Sequence, residues 1–142
     1  TTSAERPRLR FFEGIEGIKA IRGDILKTRS ENLYEFVALD PAYEIFPSQP
    51  DDHHKRIAKK YKSIKVVYTS KKGPILPEKA GPKERRFIPP EIYPFKGEVV
   101  VYGQKVAMVT KQTGAILENQ IIAETIRNLF ELAWEAAGKH KT

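Results

Sequence analysis

The chain has 142 residues with no Cys, one Trp, 10 Pro and 9 Gly, and 25 Lys and Arg against 18 Asp and Glu give it a net charge of +7. That length suits a single domain over residues 1–142, and the lack of Cys excludes a disulfide scaffold, a thiolate zinc site and a Cys nucleophile. No apolar run approaches the roughly 20 residues of a membrane-spanning helix, and the opening TTSAERPRLR has no signal-peptide core, so a soluble, cytoplasmic protein without membrane contact is expected.

Residues 8–12, RLRFF, are predicted as a strand running into a helix over EGIEGIKAIRGDILKT, where Ile15, Ile18, Ile21, Ile25 and Leu26 recur at helical spacing. Strand formers follow at residues 32–39, closed by Pro41. The segment PAYEIFPSQPDD, with Pro41, Pro47 and Pro50, is predicted as a connection, and Asp51 or Asp52 as the cap of a surface helix over about residues 52–62. In that helix only Ile57, Ala58 and Tyr61 look suited to packing. IKVVYT, residues 64–69, is predicted as a buried central strand.

Residues 70–83 mix Gly, Pro and Lys and are predicted as a long exposed loop or lid, followed by a short strand at 85–89. GEVVVYGQKVAMVT is a hairpin, with strands 98–102 and 105–110 flanking the two-residue turn Gly103-Gln104. A strand at 114–118 leads to Asn119, which caps a helix striped by Ile122, Ile126, Leu129, Phe130, Ala133 and Ala137, with Gly138 suited to the C′ position. The order strand–helix–strand–helix–strand followed by antiparallel strands predicts an α/β class with a mixed sheet flanked by helices.

The charge is concentrated. Residues 51–90 hold 12 Lys and Arg and 4 Asp and Glu, a net +8, and the remainder of the chain nets −1. Charge runs are ordinarily solvated faces. The alternative is a nucleic-acid-binding accessory domain using Lys55, Arg56, Lys59, Lys60 and Lys62 on phosphates.

Signals for chemistry are sparse. His53 and His54 are adjacent, which does not match the i, i+4 spacing of helical metal ligands, and the only other histidine is His140, so no metal site is expected. The string His53-His54-Lys55 matches half of the phospholipase D signature HxKxxxxD, but Lys60 stands where Asp is required, and the string falls on a helix. Gly14 and Gly17 at a helix N-terminus suit either an anion or close helix packing. Glu13 and Glu16 there complement the helix dipole. Phe87, Tyr93, Phe95 and Tyr102 bracket the proline-rich PPEIYPF and could stack a ligand or fill a core.

LRFFEGIEGIKAIRGDIL resembles the segment that opens the effector-sensing domain of TrmB-type, sugar-responsive transcriptional regulators. RFIPPEIYPFKGEVVVYGQKVAMVTKQTGAILENQIIAETIRNLFELAW is similar to the rest of that domain, so the resemblance spans Leu9 to Trp134. It implies a phospholipase D-like half that binds a small effector, a sugar being one candidate, forms a homodimer and needs no cofactor. It also implies that DNA is contacted only through a winged-helix domain not recognisable in these residues. Laid on the phospholipase D pattern, the catalytic His, Lys and Asp positions fall on Phe95, Gly97 and Tyr102, so no catalysis is expected and a phosphodiesterase is disfavoured. Ligands of open α/β sheets sit at the C-terminal ends of the strands. That topology, together with the analogy to the phospholipase D site that the resemblance implies, makes Glu13, Gly14, Phe95, Lys111 and Thr113 the expected effector residues, with the 70–83 loop as a lid.

Overall fold

The computed structural model describes residues 6–45, 49–76 and 80–140. The elements run β1 (Arg8–Glu13), α1 (Gly14–Lys27), β2 (Asn32–Ala38), α2 (Leu39–Ile45), α3 (Gln49–Lys60), β3 (Ser63–Thr69), β4 (Glu84–Phe87), β5 (Glu98–Tyr102), β6 (Lys105–Val109), β7 (Thr113–Glu118) and α4 (Gln120–Ala137). All seven strands form one sheet in the order β1-β7-β6-β5-β2-β3-β4. β2, β3 and β4 are parallel, and every other neighbouring pair is antiparallel. The predicted mixed α/β class is the class found.

Period-two alternation sends each strand's residues to opposite faces. One face carries Leu33 and Val37 of β2, Val66 and Tyr68 of β3, Val100 and Tyr102 of β5 and Ile116 of β7, packed against Ile21 and Ile25 of α1 and Ile57 of α3. Burying an aliphatic side chain of this size stabilises the fold by roughly 1.5–3 kcal/mol, so this cluster is the main core. The other face packs Val67, Val101 and Val106 under Ala123, Phe130 and Ala137 of α4.

Two glycines answer to packing. A Cβ on Gly17 would stand 3.0 Å from Phe12, and one on Gly114 would stand 2.4 Å from Cδ1 of Ile21. The Gly17 contact supports the close-packing alternative for that residue. The Gly103-Gln104 turn has Gly103 at φ +63° with no positive φ at Gln104, as a Gly-X turn requires.

Several expectations are corrected. The 41–45 stretch is helical, because Pro41 falls in the first turn of α2, where its missing N–H has no intrahelical partner. Pro50 is tolerated in α3 for the same reason, and because α3 begins at Gln49, Asp51 and Asp52 lie inside the helix and do not cap it. Pro47 lies outside the described residues. α3 is also more than a surface helix, for it buries His53 and His54 beside Ile57. β3 is next to the β4 edge, not at the sheet's centre, although both its faces are covered. Asn119 does cap α4, its Oδ1 accepting the Ile122 N–H at 2.9 Å. Gly138 keeps a right-handed φ of −63°, and what it admits is the guanidinium of Arg86, 2.8 Å from a Cβ placed there. Arg86 in turn donates to the Trp134 carbonyl at 2.7 Å.

Candidate functional site

An open cleft of about 680 Å³ lies at the C-terminal ends of β2 and β3. Ala38 and Thr69, register partners at those ends, form its floor. The segment before β5 closes one side, with Pro94, Phe95 and Gly97, and the β6–β7 turn closes the other, with Lys111 and Gln112. The Gly97 carbonyl accepts the Ala38 N–H at 3.2 Å, which fastens that side to the floor. Phe95 is set by stacking on Phe36 at 4.1 Å between ring centroids.

The polar groups of the cleft are placed by their neighbours. Asp40 accepts the backbone N–H of Lys71 at 2.9 Å, tying α2 to the 70–83 loop, and Lys111 pairs with Glu44. Thr69 is buried, and its Oγ1 has no hydrogen-bond partner among the described residues. A buried hydroxyl left unpaired costs about 1–3 kcal/mol, so the cleft floor presents a group for a ligand to satisfy.

Of the expected effector residues, Phe95 and Lys111 line this cleft. Glu13, Gly14 and Thr113 do not, because the β1–β7 pairing takes them one step beyond the rim. Glu13 is the register partner of Thr113, and Gly14, at φ +69°, donates its N–H to the Gln112 carbonyl at 2.7 Å. The Gly14 N–H is thus not free for an anion.

Phe95 and Gly97 face the cleft, but Tyr102 sits at the other end of β5, fully buried, and donates its hydroxyl to Asp24 at 2.9 Å. Lys105 donates to the same carboxylate at 3.1 Å. The four aromatics expected to bracket one region are therefore dispersed. Phe87 packs on Tyr68 in the core, Tyr93 meets His140 at the surface, and Phe95 and Tyr102 lie at opposite ends of β5.

A polar cluster that the sequence did not signal lies inside the main core. His54 Nε2 is 2.7 Å from Glu35 Oε1, and both residues are buried. Burial works against the charge on each, yet each partner overcomes it for the other, so the Glu35 carboxyl is held below its usual range and the His54 imidazole above its own. Burial, then the Glu35 charge, pushes the nearby Glu98 up to about 8. Arg22 of α1 faces both carboxylates, and burial lowers its pKa against their attraction. The hint was an adjacent His pair on a helix facing a lone Glu in an apolar strand, but only the fold brings positions 35 and 54 together.

On α3, Arg56, Lys59 and Lys60 are exposed, as is Lys62 beyond it, whereas Lys55 is half-buried and engaged. Among the described residues no group of three or more His, Asp or Glu is placed to hold a metal, and no helix is long and apolar enough to cross a membrane.

No protein-family model and no curated protein matches the sequence. Solved structures do match the fold. TrmBL2, an archaeal chromatin protein described as binding DNA in a novel mode, superposes with a TM-score of 0.59 at 18% identity over 95% of this chain and 52% of its own. Nuc, a phospholipase D family member from Salmonella typhimurium, gives 0.57 at 12% identity over 92% of this chain and 95% of its own. The chain has the phospholipase D-like fold. NucT from Helicobacter pylori shares it, with a TM-score of 0.59 at 9% identity over 92% of this chain and 97% of its own. This phospholipase D-like chain therefore spans nearly all of the two Nuc-type proteins but about half the length of TrmBL2.

Proposed function

We propose that this chain is the ligand-sensing and dimerisation domain of a TrmB-like transcription regulator, which binds a small effector in the strand-end cleft and signals to a DNA-binding domain outside these 142 residues. The observation that carries this reading is the cleft itself. It holds Phe95 and Gly97 where the phospholipase D pattern needs His and Lys, and no His, Ser or Cys lines it. Without the imidazole of that pattern its covalent phosphoryl route has no starting group, which supports binding over turnover. The stacked Phe95 ring, the Lys111 ammonium and the unpaired Thr69 hydroxyl suit a polyhydroxylated ligand of sugar size, with an aromatic platform and a few fixed polar groups.

Occupancy carries information only if the effector binds one arrangement of the domain or dimer better than another. Self-association is supported by the sheet face beyond α4. There Phe11, Ala115 and Met108 form one row across β1, β7 and β6, with Phe11 76% and Met108 40% exposed. A contiguous apolar surface of this kind marks an interaction site.

A thermal-shift screen with sugars, nucleotides and phosphorylated metabolites tests the effector reading, because a ligand bound only by the folded state raises its apparent stability. A compound whose stabilisation disappears in Phe95→Ala supports it. Hydrolysis of a generic phosphodiester that survives both Phe95→Ala and His54→Ala overturns it.

The second reading, phosphate contacts by α3, retains the exposed Arg56, Lys59, Lys60 and Lys62. It requires DNA affinity that falls steeply with salt. Fluorescence anisotropy showing no binding at low salt removes it.

A further inference from the structure

A groove of about 300 Å³ runs between α4 and the sheet on the side of β6 and β7. Val99, Val106, Met108 and Leu117 form its floor, and Ile126 and Leu129 of α4 overhang it. Among the described residues that line it, none is charged. Native interiors leave few voids larger than a water molecule, and an apolar cavity of roughly 150 Å³ already accepts benzene. The groove therefore has room for an aromatic side chain.

The aromatic side chain that stands free on this same face is Phe11, 76% exposed. It shares a row with Ala115, Met108 and Val99, so two strand spacings, about 10 Å, separate it from the groove's rim at Met108. The β1–β7 pairing fixes its backbone, and Phe11 cannot fold into the groove of its own chain. One surface thus carries a knob and a slot, with the small Ala115 between them. A two-fold axis lying in the interface above Ala115, along the strands, brings each Phe11 over the groove of the other copy. A different partner would have to fill the groove and also cover Phe11.

Charge and size point the same way. The chain carries +7, so two copies meet favourably only through surface that holds no charge. Leu9, Phe11, Ala115, Leu117, Val106 and Met108 make two uncharged rows across β1, β7 and β6. On α4, helical spacing turns Ile122, Thr125, Leu129 and Leu132 toward the groove side and Glu124, Arg127, Glu131 and Glu135 to the opposite flank. Three strands at about 4.8 Å and a helix about 10 Å wide, over strands some 17–20 Å long, give a flat footprint of roughly 400–500 Å². Standing side chains add to it, Phe11 alone on the order of 150 Å², which brings the accessible area toward the roughly 800 Å² per partner of a standard interface.

We propose that this face docks a second copy of the chain, with Phe11 of each copy held in the α4–β6 groove of the other. The inference rests on the self-association reading and adds to it a reciprocal contact between two named parts of the surface.

Sedimentation velocity of the full chain with two variants tests it. Phe11→Ser removes the knob, and Leu129→Glu places a carboxylate at the mouth of the groove. Both positions are more than half exposed, so each variant should melt, at low concentration, close to the wild type. The wild type should dimerise, and each variant alone should lose at least about tenfold in dimer affinity. An equimolar mixture of the two should regain a heterodimer, because the intact Phe11 of the Leu129→Glu copy enters the unblocked groove of the Phe11→Ser copy. A merely structural role for either residue does not predict that recovery. A mixture that associates no better than the variants alone overturns the proposal while a dimeric wild type leaves self-association standing. A Leu129→Glu chain that dimerises like the wild type also overturns it and leaves the groove to another occupant. A wild type that stays monomeric up to about 1 mM overturns both readings.

Discussion

Nε2 of His54 meets Oε1 of Glu35 at 2.7 Å, joining α3 to the middle of β2 through an ion pair inside the apolar core. Groups facing it are Arg22 from α1, Glu98 from β5, Arg85 from β4 and the neighbouring His53. His54 is raised above 6.5, so its contribution to stability is complete below that pH and is lost as pH rises through the folded value. Glu98, raised from 4.5 to about 8, follows the same sign, its contribution fading as pH rises towards 8. His53 runs oppositely: burial lowers it from 6.5 to about 3, so it favours the folded state above 6.5 and erodes it on acidification. Above about pH 7.5, where His53 is neutral in both folded and unfolded chains, only the first two of these groups still change charge, and the melting temperature should fall from there to about pH 9. Calorimetry across that range checks this, and the double variant His54→Gln, Glu98→Gln should flatten the slope.

Asp24 is 4% exposed and depends on the Tyr102 hydroxyl, on Lys105 and, more distantly at 3.5 Å, on Arg10. Tyr102→Phe keeps the ring and removes one hydrogen bond to a charged group, which should cost about 2 kcal/mol. Urea denaturation should show a lower midpoint with an unchanged slope.

Gly114→Ala places a methyl group 2.4 Å from Cδ1 of Ile21 and 3.0 Å from the Met108 carbonyl, which is backbone and cannot swing aside. A loss of roughly 1–3 kcal/mol is expected. Gly23→Ala, measured in parallel by thermal unfolding, should stabilise instead.

If the Phe11–Met108 row is the self-association surface, sedimentation velocity of the wild type should show a concentration-dependent dimer. Phe11→Glu with Met108→Glu should leave a monomer whose melting temperature, extrapolated to low concentration, is that of the wild type. A dimer that persists in the double variant would place the interface elsewhere.

Much of the framework was legible in the sequence because local signals carried it. The Ile18, Ile21 and Ile25 stripe, the hairpin about Gly103 and the Asn119 cap each depend on neighbours within a few residues. What failed depended on distant partners or on position within an element. Pro41 read as a terminator, but proline is compatible with a helix's first turn. Tyr102 read as part of an aromatic cluster, but its partner is Asp24, far away in sequence. Strand topology and the phospholipase D analogy pointed to the strand ends, where Phe95 and Lys111 line a cleft, while the β1–β7 register that removes Glu13 and Thr113 from the rim leaves no mark in either segment. His53 and His54 were weighed as metal ligands and as half of a phospholipase D signature on a surface helix, and only the packing of α3 over Glu35 buries them.

Amide chemical-shift mapping of the labelled chain, titrated with a compound that raises its melting temperature, tests the central claim most directly. The account predicts shifts concentrated at Thr69, Lys96, Gly97, Lys111 and Gln112, around the strand-end cleft. Shifts confined to α1 and α3 would contradict the effector reading of that cleft.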